Sequence, residues 1–278
     1  MRQKSKPFIL FIKIVAIVFL LLWIIIPLYW VLITSLHLGQ DTFSIPPKLF
    51  PAQPQWGNYL IAVKEKPVLN WICNSLIISI MTSVFSLFIS IFAAYGLSRF
   101  NFKGRHFIGF SILFTQMLPG TLFIIPMYLI FKHLQLLDSL LGLIIAYTSF
   151  GIPLCTWMLK SYFDSIPVEI EEAAYIDGCS FSMTLYRIIL PISKPGLAAT
   201  GIYSLILGWN EFMFARTFIN SQARWPITVG LSSFTSEYSV EWNVLMAAAV
   251  MCSIPILLIY LVLQRSFIQG MTSGAIKG

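Results

Sequence analysis

EEAAYIDGCSFSMTLYRIILPISKPG, residues 171–196, differs from everything around it. On either side lie long uncharged runs of Leu, Ile, Phe and Val, whereas here carboxylates, a glycine and two prolines follow in quick succession. Glu169, Glu171 and Glu172 crowd the first turns of a predicted helix, where the helix dipole favours negative charge. Ser165 is placed to cap that helix, and Pro167 to occupy an early position where its missing N–H costs nothing. Ile170, Ala173 and Ala174 share one face by their spacing, and Gly178 is expected to stop the helix by adopting positive φ. A second amphipathic piece follows, with Phe181, Leu185 and Ile188 at i, i+4 and i+7, and it ends at Pro191. The stretch therefore reads as two short helices folded at a glycine, a compact acidic knob. A connector resting on lipid headgroups would carry Lys and Arg on its polar face, so the carboxylates favour a protein partner with a basic groove.

The surroundings say what the knob is attached to. The chain has 278 residues, 58% hydrophobic and 10% charged, with a mean hydropathy of +0.82. A water-soluble domain carries far more charge. A membrane helix needs about 20 apolar residues, and six candidate spans of that kind lie near 8–35, 71–97, 107–131, 139–159, 197–215 and 244–263. The fifth contains Glu211. The first is too long, and lacks the small-residue site, for a signal peptide. An all-α, polytopic membrane protein with one domain over residues 1–278 is the expectation. With six spans and the N-terminus inside, the outer side receives Lys48, Lys64, Lys66, Lys132, Arg216 and Arg224, and the inner side the other twelve of the 18 Lys and Arg residues. This bias puts both termini and the knob in the cytoplasm. The net charge of +7 then reflects topology, and no basic run interleaved with aromatics suggests nucleic acid.

The loops carry less information. Residues 36–70 hold prolines at 46, 47, 51 and 54, which favour an extended path, and Trp56, Tyr59 and Trp71 fit an interfacial aromatic belt. Residues 132–138 read as a tight hairpin, and Pro119, Pro126 and Pro153 as kinks within spans. Cys73, Cys155, Cys179 and Cys252 lack zinc-type spacing, and His37, His106 and His133 fall on separate loops, so no metal site and no nucleophile constellation is expected. A phosphate-cradling G-x-x-x-x-G-K-[ST] motif is missing, so any energy source must be another chain. Catalytic residues are expected to be absent. Trp209, Asn210 and Glu211 form a candidate pathway segment, because a polar pair beside aromatics suits sugar rings; the alternative is an interfacial Glu211 partnered by Arg216 or water.

Seven positions in the knob, Glu172-Ala173-Ala174, Gly178 after three residues, and Ile188, Leu190 and Pro191 after nine more, resemble the EAA-x3-G-x9-I-x-L-P motif of binding-protein-dependent ABC importer permeases. Further stretches, Gly208-Trp209-Asn210-Glu211-Phe212, Trp242-Asn243 and the closing Gly274-Ala275-Ile276-Lys277-Gly278, are similar to the carbohydrate branch, in particular the smaller, maltose-type permease. The resemblance implies a type I importer fold in a bacterial cytoplasmic membrane, with ATPase coupling through Glu172, Ala173, Ala174, Asp177, Gly178, Ile188, Leu190 and Pro191. Contact of the tail at Gly274 and Lys277 with the ATPase is implied too. So are the partners: a second permease of the same kind, a cytoplasmic ATPase dimer that holds ATP and Mg, and an extracytoplasmic solute-binding protein that delivers a sugar. This chain would bind no cofactor and catalyse no covalent step. Import of glycerol-3-phosphate or a related polyol is the alternative, although its phosphate favours Arg or Lys on the pathway, and the spans offer none. A self-contained secondary transporter would need intramembrane ionisable groups and broken helices in two related halves; the prolines of the third and fourth spans lend it a little support, the EAA loop none.

Overall fold

The computed structural model describes the backbone of residues 6–235 and 241–275, with side chains over 9–235, 241–262 and at 264. In chain order the helices are α1 (Lys6–Ser35), α2 (Gly57–Glu65), α3 (Val68–Arg99), α4 (Arg105–Phe114), α5 (Ile124–His133), α6 (Leu140–Asp164), α7 (Glu169–Ile176), α8 (Phe181–Thr184), α9 (Leu190–Ile192), α10 (Lys194–Asn210), α11 (Met213–Phe218), α12 (Ile227–Ser232) and α13 (Trp242–Ala275). No strand occurs among the described residues. Four helical stretches are long and apolar enough to cross a bilayer, Ile9–Ser35, Val68–Arg99, Leu140–Asp164 and Trp242–Val262.

The other two expected spans are broken, for local reasons. Near 107–131 the chain makes two helical pieces, Arg105–Met117 and Gly120–His133, bent by 92°. The bend falls where Pro119 forbids helical geometry to its neighbour, so Leu118 adopts φ −83°, ψ 130°. Pro126 lies in the first turn of α5, where proline is tolerated, and does not kink it. Near 197–215 the helix stops at Asn210 because Glu211 is extended, at φ −69° and ψ 133°. The resulting 17 residues of α10 rise only about 25 Å. Among the described residues, helices long and apolar enough to span thus number four, or five with the bent pair taken as one, and the expected count of six is not confirmed.

Two compact units divide the chain. The first is Met1–Val68 with Ser233–Ile254. Its loop after α1 is not extended throughout, because α2 forms once the prolines are past. Asn58 of α2 ties that helix down by donating to the carbonyls of Ser35 (2.8 Å) and His37 (3.0 Å) at the end of α1, and it accepts from Asn243 Nδ2 at 3.1 Å. Ser35 Oγ also meets the Tyr59 hydroxyl at 2.7 Å.

The second unit is Leu69–Ser232 with Pro255–Gly278. Apolar burial gives little drive between helices in lipid, so close approach through small residues does much of the packing. Ser75, Ser79, Thr82, Ser83, Ser86 and Ser90 are all buried along α3. Ser83 Oγ donates to Gly201 O at 2.8 Å, and Ser204 Oγ meets Ser83 Oγ at 3.1 Å. A Cβ on Gly151 would stand 2.8 Å from Ser86 Oγ, and one on Gly208 would stand 3.0 Å from Ser79 Cα. Trp71 belongs to this packing and not to an interfacial belt: it is fully buried, its Nε1 donates to Gln222 O at 3.2 Å, and a Cβ on Gly230 would overlap its ring at 2.1 Å.

Asp138 makes the 132–138 hairpin more than a turn. Its N–H donates to Phe218 O at 2.8 Å, and its Oδ1 accepts from the N–H groups of Asn220 (3.0 Å) and Ser221 (2.9 Å). Oδ2 accepts from Ser221 Oγ, and from Arg224 Nη1 at 2.8 Å. Partial burial pushes this carboxyl upward, but the hydroxyl and N–H of Ser221, the N–H of Asn220 and the Arg224 charge together hold it below the usual carboxylate range. A depressed folded-state value adds stability that is present above the unfolded value, about pH 4, and lost as pH falls through the folded value. Asp138→Asn should therefore lower thermal stability by about 1 kcal/mol at neutral pH, discounted for solvent exposure. The gap from the parent should close on acidification below about pH 4; a gap that did not change with pH would assign the loss to geometry alone.

Candidate coupling surface

The knob is built from α7, the turn at Gly178, and a second helical stretch. α7 begins at Glu169, with Val168 before it and no side-chain cap. Ser165 does not cap α7; it closes α6, its Oγ donating to Tyr162 O at 2.6 Å, and Pro167 precedes α7. Glu169, Glu171 and Glu172 all fall in the first turn of α7, as expected for the positive end of a helix.

These three carboxylates do different things. Glu171 is buried, while Glu169 and Glu172 are exposed. Glu171 Oε1 accepts from Arg99 Nε at 2.5 Å and Oε2 from the Tyr95 hydroxyl at 2.6 Å. Its side chain is 4% exposed and that of Arg99 10%, so this is an ion pair withdrawn from water. Arg99 Nη2 continues to Ile166 O at 3.0 Å and Nη1 to Ser98 Oγ at 3.2 Å. Ser98 Oγ in turn donates to Asp164 Oδ1 at 2.6 Å, and Asp164 Oδ2 takes Lys160 Nζ at 2.6 Å. The end of α3, the end of α6 and the knob are thus bracketed by one polar network. Sequence reading singled out Glu172 and missed Glu171, Arg99 and Tyr95. The available signal was an arginine closing an otherwise uncharged span.

Gly178 has φ +84°, as the turn requires, and nothing lies within 4 Å of where its Cβ would be. Ser180 then caps α8, its Oγ accepting from Met183 N at 3.4 Å. Residues Leu185–Ile189 form a π turn, which shifts the inward face by one position. Leu185 and Ile189 are consequently fully buried, while Ile188 is only half-buried and Phe181 is exposed at its edge. Phe181 still stacks on Phe100 at 5.2 Å and lies 5.1 Å from Tyr95. Leu190 is half-buried and Pro191 exposed in α9. Gly196, at the start of α10, lies against Tyr162, where a Cβ would come within 2.5 Å of the ring.

The outward rim consists of Glu172, Ala173, Tyr175, Ile176, Asp177 and Gly178, with Ile176 86% exposed. Ala174 faces the other way and is buried. Its small size serves the chain's own packing, while that of Ala173 leaves room for something outside. An exposed isoleucine and tyrosine beside two carboxylates make an apolar anchor with a charged border, the usual composition of a protein contact.

The remaining candidate residues are not brought to this surface. Trp209 is buried and Asn210 exposed. Glu211 does not pair with Arg216: its carboxylate accepts from the N–H groups of Phe214 (2.9 Å) and Ala215 (3.1 Å), and its carbonyl from Thr228 Oγ1 at 2.7 Å. It serves as a cap for α11, in place of the span-crossing helix expected there. Gly274 lies within α13, which runs to Ala275, so the tail is helical to that point, and Lys277 lies outside the described residues. The four cysteines are free, and no metal-type cluster occurs among the described residues.

Removing one partner of a buried ion pair leaves the other charged and unpaired, at a cost of about 3–5 kcal/mol. Glu171→Leu should therefore melt well below the parent in detergent, and Glu171→Leu with Arg99→Met should regain most of that loss. A double variant as unstable as the single one would show that other Arg99 contacts dominate.

Comparison with known proteins agrees with this arrangement. Residues 86–273 match the family of binding-protein-dependent transport system inner membrane components. The sulfoquinovosyl glycerol transport system permease protein SmoH of Agrobacterium fabrum (strain C58 / ATCC 33970) is 33% identical over 91% of this chain and 88% of its own length. The diacetylchitobiose uptake system permease protein DasC of Streptomyces coelicolor (strain ATCC BAA-471 / A3(2) / M145) is 31% identical over 95% and 96%. A chain of the crystal structure of a bacterial ABC transporter involved in the import of the acidic polysaccharide alginate shares the fold, with a TM-score of 0.82 over 96% of this chain and 99% of that one, at 24% identity. With its membrane helices, its bracketed acidic knob and a family match over most of its length, the chain belongs to the binding-protein-dependent transport system inner membrane components, the permease subunits of ABC transporters.

Proposed function

We propose that this permease imports a sugar or oligosaccharide handed over by an extracytoplasmic binding protein, and that the knob couples it to a separate cytoplasmic ATPase. The observation that carries this reading is the two-sided α7. Its inner side is locked to α3 and α6 through Glu171 and Arg99, while Glu172, Ala173 and Ile176 are exposed on the outer side. A partner that pushed on the rim would act on the ends of two membrane helices, because Arg99 at the end of α3 holds Glu171 of α7, and Ser98 beside it holds Asp164 at the end of α6. ATP and Mg belong to that partner. The names of relatives that import sugars or glycosides support the solute class, and a second permease of the same kind would complete the pathway. The Lys and Arg asymmetry supports cytoplasmic termini and a cytoplasmic knob. Asn210, exposed beside the break at Glu211, is the pathway residue of the original trio best placed to meet solute.

Two experiments test the reading. Glu172→Lys reverses the rim charge, and Gly178→Val forces a β-branched residue into positive φ at a cost of about 1–2 kcal/mol. Both chains are expected in the membrane, with substrate-stimulated ATP hydrolysis reduced tenfold or more. Because no neighbour crowds Gly178, Gly178→Asn, which tolerates that backbone conformation, should keep most of the activity. Full stimulation in both damaging variants would reduce the knob to a connector. In the second experiment, reconstituted complex with its binding protein is offered neutral oligosaccharides and glycerol-3-phosphate, and stimulation by the phosphate alone would overturn the sugar assignment.

A further inference from the structure

The second unit carries a groove that neither the coupling surface nor the candidate pathway uses. It has a volume of about 250 Å³ and lies between α4 and α6. Arg105, His106 and Lys160 line it near the start of α4 and the end of α6, and Phe110, Leu113 and Trp157 line it further along the same helices. Gly109 is buried at its floor, where a Cβ would lie 3.9 Å from the Trp157 ring. The basic rim sits at the same end of these helices as the knob, since Arg105 Nη2 donates to Ser98 O at 3.3 Å and Lys160 pairs with Asp164.

We propose that this groove binds an anionic phospholipid, the phosphate between Arg105, His106 and the Lys160 ammonium and one acyl chain along Phe110, Leu113 and Trp157. Three observations select that occupant. First, charge: among the described residues no carboxylate pairs with Arg105, and the single ion pair at this end of the groove, Lys160 with Asp164, leaves the Arg105 charge unbalanced. Second, the helix terminus: α4 starts at Arg105 after Gly104 at φ +92° with no side-chain cap, so its positive end adds to the same rim. Third, polarity changes along the groove in the sense a lipid requires, basic where the helices end and apolar where they run into the membrane. Lys160 Nζ lies 5.7 Å from the centre of the Trp157 ring, which holds the cation at that boundary. A water-borne phosphate would satisfy the rim and leave the apolar wall unfilled.

The test uses the full-length chain in phosphatidylcholine nanodiscs doped with phosphatidylglycerol, with retained lipid read by native mass spectrometry after detergent release. The parent should retain phosphatidylglycerol in preference to phosphatidylcholine. The pair Arg105→Gln with His106→Gln should reduce that retention about tenfold, and so should Gly109→Leu, which keeps every charge but fills the groove. Circular dichroism and elution volume establish that the variants fold. Equal retention of the two lipids by the parent would overturn the proposal, as would unchanged retention in both folded variants. Displacement of phosphatidylglycerol by inorganic phosphate would assign the site to a soluble anion instead. Should either variant misfold, the lipid preference of the parent and the phosphate competition still decide.

Discussion

The burial of the Arg99–Glu171 pair is the constraint from which the knob-bearing end of the second unit follows. A guanidinium and a carboxylate removed from water are tolerable only when nearly every donor and acceptor is met. Tyr95, Ser98 and the Ile166 carbonyl meet them, and each comes from a different turn of α3 or from the end of α6. Position and orientation of α7 are therefore not free variables. The aromatic contacts of Phe181 with Tyr95 and Phe100 extend the same fixation across the glycine turn to the second half of the knob. Apolar packing alone would allow α7 to roll about its axis; a buried pair with directional hydrogen bonds does not.

Away from the knob the helices are held by other means. α3, α6 and α10 meet through serine, threonine and glycine, and the hydroxyls bond to one another and to backbone carbonyls. Such contacts are short in reach and individually weak, on the order of 1 kcal/mol each. A bundle packed in this way keeps its backbones close where these small residues meet. The rigid element is concentrated at the knob, and the adaptable packing lies along the spans. For a permease that alternates between inward and outward access this distribution is the useful one, because motion imposed at one end must reach the other without distorting the point where it enters.

Much of this was legible in the sequence, and the rest was hidden for identifiable reasons. Apolar runs marked the long helices, the acidic first turn marked α7, and Gly178 announced its own positive φ. Spacing could not reveal that Glu171 rather than Glu172 turns inward, since adjacent residues on a short helix differ only by the partner each finds, and Arg99 lies 72 positions away. Ile188 was placed on the inner face by a 3.6-residue period, and the π turn at Leu185–Ile189 moved that role to Ile189. Ser165 looked like a cap because its side chain suits either end of a helix turn. α2 was lost behind the prolines that precede it, and Asp138 behind a turn that looked complete in itself. For Glu171 and Asp138 the deciding partner was distant in sequence.

The two interrupted spans show the same logic at membrane depth. Non-helical backbone in an apolar setting is stable only where protein or water satisfies the freed groups. At the first break Gln116 Nε2 donates to Phe150 O of α6 at 3.0 Å. At the second, Glu211 caps α11 and takes Thr228 on its carbonyl. Both breaks converge on α6 through aromatic rings, Phe123 with Phe150 at 5.9 Å and Phe150 with Phe214 at 5.0 Å. Phe150 is thus the shared buttress of two segments whose helical hydrogen bonds have been given up. A chain selected only to cross the bilayer would have kept those helices whole. Keeping two breaks, each with its own polar compensation and one common aromatic support, concentrates irregular backbone and polar groups around α6.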